Sequence, residues 1–297
     1  MNTGIIKKVN CFLGKFPLLG FKSEVNLITL DASHIIKRGT KKEIEVISNR
    51  INVSNHKSFE YILFYSYSSI EAISYPEEII NHFKILNVFF KIFKSGSIGI
   101  PYCQHYVKKE EENTYSSIGF ISDPRVNYFE EESYTISKQE TFLLKSMWNK
   151  YIVLFSSKNT GFQTAIRRFY FSSQRFDKED KVIDLMIAFE ALFLIENAEL
   201  SFKLSLRVAR FLADEYNSSE LFEIMRKAYN LRSKFVHGEG LKPADKQDNM
   251  RDLEIKKLIE KLYEILRLSI RKYVKNFSDV TISDFIKCID DRIIRGQ

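Results

Sequence analysis

The chain has 297 residues, 44% of them hydrophobic, with 25 Phe and 15 Tyr; this excludes intrinsic disorder and exceeds the usual size of one domain. Lys and Arg outnumber Asp and Glu by 45 to 38, and the net charge of +7 admits an anionic partner such as nucleic acid without demanding one. Three cysteines, Cys11, Cys103 and Cys288, stand far apart and are odd in number, which argues against a disulfide framework and for a reducing, cytoplasmic location.

The N-terminal stretch MNTGIIKKVNCFLGKFPLLGF sets basic residues before an apolar run, but Lys15 and Pro17 interrupt it and no small-residue cleavage site follows. It is therefore not read as a signal peptide. Two segments, EIEVISNRINVS (43–54) and SFEYILFYSYSSIEAIS (58–74), are rich in β-branched and aromatic residues with partial alternation and predict strands. Pro76 then opens PEEIINHFKILNVFFKIF, whose acidic first turn and helical apolar spacing predict a helix ended by SGSIGIP. The acidic, Tyr-containing stretch 110–134 reads as loops with one or two strands. Ser137 and Glu140 form a capping box that starts another helix.

SSKNTG (156–161) is small, polar and glycine-terminated, and reads as a linker. Beyond it the pattern is helical: 162–175, 178–195, 200–216, 220–236, 252–274 and a short helix from about 282, with Asp177, Asn217 and Thr281 as N-caps. The longest apolar run, VIDLMIAFEALFLI (182–195), has 14 residues with Asp184 and Glu190 inside it, against the ~20 needed to cross a bilayer. It reads as a buried core helix, and no membrane partner is expected. The fold class is α+β: a mixed α/β region over 1–155, then an all-α bundle over 162–297.

Several chemistries lack their motifs. The sequence has no Gly-x-x-x-x-Gly-Lys loop, no Gly-x-Gly-x-x-Gly, no His-Glu-x-x-His and no Cys-x-x-Cys pair. Cys103 and His105 alone do not make up a zinc ligand set. No cofactor or metal is expected. What stands out is YNLRSKFVHGEG, residues 229–240, where Arg232 and His237 lie near the end of a helix before Gly238 and Gly240. On a straight helix their spacing sets them about 140° apart. A helix ending at Gly238, or a second copy of the motif, would relax that separation. Spacing alone favours the plainer reading, a cation and a histidine meeting the carbonyl end of a helix.

The segments AIRRFYFSSQRFDKEDKVIDLMIAFEALFL, LSLRVARFLA and AYNLRSKFVHG, in that order, resemble the Apea-like branch of the HEPN domains, helical modules with an Arg-x4-His motif. The resemblance covers about residues 162–275. It implies metal-independent RNA cleavage by a homodimer that brings two motifs together, with Arg232 and His237 catalytic, in a setting such as prokaryotic defence or stress response. It leaves open a noncatalytic HEPN dimer that binds RNA or a protein partner, inhibitory or activating. Ser233 occupies a position where many such nucleases carry Asn, Asp or His. The residues themselves suit that chemistry: a histidine exchanges protons near neutrality, and a guanidinium offers a permanent charge and a forked donor set to phosphate. Tyr229 shares the face of Arg232 at i−3 and is placed to hold it or to stack on a base. Glu190, inside an apolar helix, requires a partner, and Arg207, Arg210 and Arg232 are its candidates.

Overall fold

The computed structural model describes residues 10–49, 59–69, 77–108, 116–122, 133–157, 159–238 and 246–296. The chain divides into two compact units, Met1–Asn149 and Lys150–Gln297. The first holds β1 (Asn10–Leu19), β2 (Phe21–Ser23), β3 (Leu27–Thr29), β4 (His34–Arg38), α1 (Lys41–Ser48), β5 (Phe59–Ser69), α2 (Glu77–Phe93), β6 (Tyr102–Lys108), β7 (Ser116–Ser122) and β8 (Tyr134–Ile136). Helix α3 (Lys138–Ser156) runs from the first unit into the second. The second adds α4 (Thr160–Gln174), α5 (Lys178–Phe193), α6 (Leu200–Phe211), α7 (Ser218–Val236), α8 (Lys246–Phe277) and α9 (Ile282–Ile294). The molecule is thus mixed α+β, strands first and helices after.

Six strands form one sheet in the order β3-β4-β5-β1-β6-β7, every neighbouring pair antiparallel; β2 and β8 form a separate parallel pair. Alternation along β5 sends Tyr61 and Leu63 to one face and Ile62 and Phe64 to the other. Aromatic residues of α2 and the strands pack together, with Phe16 on Phe83 at 6.4 Å and Phe21 on Phe90 at 6.1 Å. Ile62 joins Leu19, Ile47 and Phe59 in a buried cluster against which Ile44 and Phe64 pack. Trp148 of α3, fully buried, meets Phe89 edge-on at 4.9 Å.

One expected strand is a helix. Residues 43–48 belong to α1, because Thr40 and Glu43 close a capping box: the Thr40 hydroxyl accepts from the Glu43 N–H and the Glu43 carboxylate accepts from the Thr40 N–H. Ile44 and Ile47, three apart, then share the buried face. The rest of that predicted strand, 50–54, lies outside the described residues. The Ser137–Glu140 box is present, with Ser137 N–H to Glu140 Oε2 at 2.9 Å and Glu140 N–H to Ser137 Oγ at 3.2 Å. Helices reach into the expected linker from both sides: Ser156 ends α3, Asn159 caps α4 by accepting from the Phe162 N–H, and Gly161 is already helical, while Lys158 lies outside the described residues.

In the second unit α5 is the hub, packing against α4, α6, α7, α8 and α9. Val182, Leu185, Met186, Ala188, Phe189, Leu192 and Phe193 are buried along it. Phe193, Phe211, Tyr273, Phe277 and Phe285 form an aromatic cluster near its end. Buried Asp184 of α5 accepts from Arg168 at 2.7 Å and Arg175 at 2.8 Å, tying α4 to α5.

Candidate active site on helix α7

Helix α7 starts at Asn217, whose side chain accepts from the Glu220 N–H at 3.0 Å. Leu221, Met225, Ala228 and Phe235 are its buried residues, a stripe spaced four, three and seven. The missing step in that rhythm is Arg232, which therefore occupies a core-facing position of the stripe. Glu190 of α5 meets it there: Arg232 Nη2 lies 3.7 Å from Glu190 Oε2. Of the three arginines expected as partners, this is the one Glu190 has. Arg207 is committed elsewhere, to Glu196, Asp290 and the Phe193 carbonyl.

The Arg232–Glu190 pair is loose. Its separation exceeds hydrogen-bond range, and both Glu190 Oε1 and Arg232 Nε are buried with no hydrogen-bond partner. Burial pushes the Glu190 carboxyl above the usual carboxylate range, and Arg232 only partly opposes it. The Tyr229 ring centroid lies 6.0 Å from the Arg232 guanidinium carbon, at the outer limit of a cation–π contact. Its phenol is raised, first by burial and then by Glu190, against the opposing effect of Arg232. Glu190, Arg232 and Tyr229 thus form a polar island in an apolar seam, with donor and acceptor capacity left over.

His237 is elsewhere. It is the C-cap of α7 and exposed, and its backbone N–H still reaches the Ser233 carbonyl at 3.1 Å. Gly238 follows with φ +80°, the left-handed conformation that ends a helix. The break falls after His237, so helical rotation carries through to it and keeps it on a different flank of α7 from Arg232 within one chain. The anticipated relaxation at the helix end does not occur. Ser233 lies half-buried between them, its hydroxyl unpartnered among the described residues. Gly240 lies outside the described residues.

A second polar cluster, in the first unit, was not singled out from sequence. The Asp31 carboxylate accepts from the Ser33 and His34 N–H groups at 2.7 and 2.8 Å, from Trp148 Nε1 at 2.5 Å, and from His34 Nδ1 at 2.8 Å. That last bond fixes the His34 tautomer and turns its Nε2 into an acceptor. His82 Nε2 stands 2.5 Å from it. The ring centroids are 4.8 Å apart and the planes differ by 11°, so the gap plus one ring radius on each side spans the whole separation. The two nitrogens point straight at each other, the geometry of a shared proton and not of a chelated metal, which needs two lone pairs converging on a third point. Tyr65 stacks on both rings, at 3.8 and 4.6 Å. Only the local Asp-x-x-His spacing hinted at this; His82 arrives from 48 residues away. Of the remaining histidines, His56 lies outside the described residues.

Among the described residues, no group of three His, Cys, Asp or Glu is arranged to hold a metal ion, and no helix is long and apolar enough to cross a membrane. In comparisons with known proteins, the chain matches no family model, no curated protein and no solved structure.

Proposed function

We propose that the second unit is a HEPN-like module acting as a metal-independent endoribonuclease on RNA, with Arg232 and His237 at its centre and a second copy of the chain completing the site. The carrying observation is that α7 presents an exposed His237 at its end and, on another flank, an Arg232 whose donor fork is only partly used. The reaction needs a base to take the 2′-hydroxyl proton, a donor to protonate the departing 5′-oxygen, and positive charge on the phosphate. The 2′-oxygen forms a bond to phosphorus as the bond to the 5′-oxygen breaks, leaving a 2′,3′-cyclic phosphate and a 5′-hydroxyl. In-line displacement sets base and acid on opposite sides of phosphorus, so one histidine does not serve both roles in one step. With Arg232 and His237 on different flanks of α7 in one chain, a homodimer supplies the missing half. The first unit then selects the RNA or senses a trigger, in a setting such as prokaryotic defence or a stress response, and a protein partner holds activity off or turns it on.

The same separation supports a second reading, a HEPN dimer that binds RNA or a protein without cutting. Incubating purified protein with mixed RNA in excess chelator separates the two. Cleavage is expected, and His237→Ala is expected to lower its rate by roughly 10² to 10⁴. An intact substrate pool with wild-type protein, or equal cutting by the His237 variant, rejects the enzymatic reading.

A further inference from the structure

Helices α7 and α8 both pack on α5 and leave a trench between them. At the His237 end it holds a cavity of about 470 Å³ lined by Glu223, Arg226, Lys227, Asn230, Lys234 and Glu254 over a floor of Leu231, Ile255 and Leu258. Further along, a second cavity of about 430 Å³ has Leu221, Ile224 and Ile265 as its apolar lining. The charges differ between the ends. The near end carries three cations against two carboxylates, and both of its ion pairs are long and exposed, Arg226–Glu223 at 3.8 Å and Lys227–Glu254 at 3.9 Å. Such pairs hold their cations weakly. Lys234 is exposed and has no partner among the described residues. The far end carries Glu220, Glu260 and Glu264 against Lys257 and Lys261.

Helical rotation connects this trench to His237. Seven residues are close to two full turns, so His237 lies on the flank of Asn230, about 10 Å further along the axis, with Lys234 one turn before it. Arg232, two residues from Asn230, is turned about 200° away, toward α5. Within one chain, then, the cations sharing a flank with His237 are Lys234 and Arg226, not Arg232. We infer that the His237 end of the α7–α8 trench is a phosphate-backbone track for single-stranded RNA, in which Lys234, Arg226 and Asn230 lead the strand to His237. The inference rests on the ribonuclease reading for the identity of the strand; the charge asymmetry and the shared flank stand independently.

The test uses the full chain and a fluorescent short 2′-O-methyl oligonucleotide, which lacks the attacking hydroxyl and so reports binding without cleavage. The paired substitution Lys234→Glu and Arg226→Glu is expected to weaken binding at least tenfold and to flatten the salt dependence by a slope of about two, one per phosphate contact. The far-end pair Lys257→Glu and Lys261→Glu is expected to change affinity less than twofold. All four lysines and arginines are surface residues, and unchanged thermal melting confirms folding. Equal loss from both pairs, or no binding of the probe at low salt, overturns the track and leaves the trench as a protein-facing groove. If the predicted binding pattern appears but wild-type protein cuts no RNA, the track stands and the cleavage reading falls. If RNA is cut and the near-end pair binds normally, the reverse holds.

Discussion

Two arginines of the helical unit sit where apolar residues would pack, and they are accommodated in opposite ways. Arg207, 3% exposed, spends every donor of its fork: Nε and Nη2 on Asp290 at 2.8 Å, Nη1 and Nη2 on Glu196 at 2.9 and 2.6 Å, and Nη1 on the Phe193 carbonyl at 2.9 Å. Arg232 has one carboxylate at 3.7 Å and a buried Nε without a partner. Burial of a charge therefore does not by itself mark function. A filled fork is a structural staple between α6, α9 and the end of α5. An unfilled one has capacity left for a ligand, and its protein tolerates the cost of leaving it so.

The contrast predicts its largest single-substitution effect at Arg207. Replacing it with Met leaves the partly exposed Glu196 and Asp290 carboxylates and the Phe193 carbonyl without their donor, and breaking such a cluster from one side is expected to cost about 3 kcal/mol, less to the extent that water reaches the two carboxylates. Hydrogen exchange of α6 and α9 amides in the full chain measures it. A loss below about 1 kcal/mol would erase the distinction between the two arginines.

The carboxylates repeat the contrast and make it depend on pH. Asp31 gathers donors, and despite its burial the Trp148 and His34 hydrogen bonds hold it below the usual carboxylate range. Glu190 lacks them and is pushed up. Burial lowers both partnered histidines from the ordinary 6.5, His34 against the opposing Asp31, and His82, with His34 adding to the effect, to about 3. A depressed folded-state value means stability is fully present above 6.5 and lost as pH falls, because the unfolded chain takes up protons the folded one refuses. Between pH 6.5 and 5 the first unit is expected to lose up to about 1.4 kcal/mol per pH unit for each histidine that stays neutral. The Glu196–Arg207 cluster is unaffected in that window, since Arg207 holds Glu196 down at about 2. Amide protection in β4, β5 and α2 is expected to fall while that in α6 and α9 holds; a parallel fall in both would show that the His34–His82 pair is not the titrating element.

How much of this was legible in the sequence follows from the range of the forces involved. Local signals were readable: the Ser137, Asn217 and Thr281 caps, the α2 and α5 helices, the glycine stop at Gly238. The Thr40–Glu43 box was equally local, but β-branched residues at 44, 46 and 47 imitated alternation and hid it. Strand β1 is not legible because its pairings reach across the chain, to β5 and β6, whereas β3 and β4 pair locally but are only three and five residues long. The Glu190–Arg232 meeting could be reduced to three partners by the cost of a buried charge, and the gap in the Leu221–Met225–Ala228–Phe235 stripe would have chosen among them. The His34–His82 pair joins residues 48 apart through a sheet register that no local pattern encodes.

The smallest effect is also the sharpest. Arg232→Met together with Glu190→Leu replaces both members of an unsatisfied pair with apolar residues and restores an apolar residue to the α7 stripe. Removing both partners of a poorly bonded buried pair is nearly neutral or stabilising, unlike removing one. The double variant is therefore expected to stay within about 1 kcal/mol of wild type or to exceed it in urea unfolding. Glu190 sets the sign with pH: its raised value means its contribution is present below the usual carboxylate range and lost as pH rises, so the double variant gains most near neutrality. RNA cleavage, by contrast, is expected to fall with Arg232 absent. Stability kept and activity lost would mean that Arg232 is held in the seam for what it does to a ligand, whereas a loss as large as that of Arg207→Met would make it a second staple.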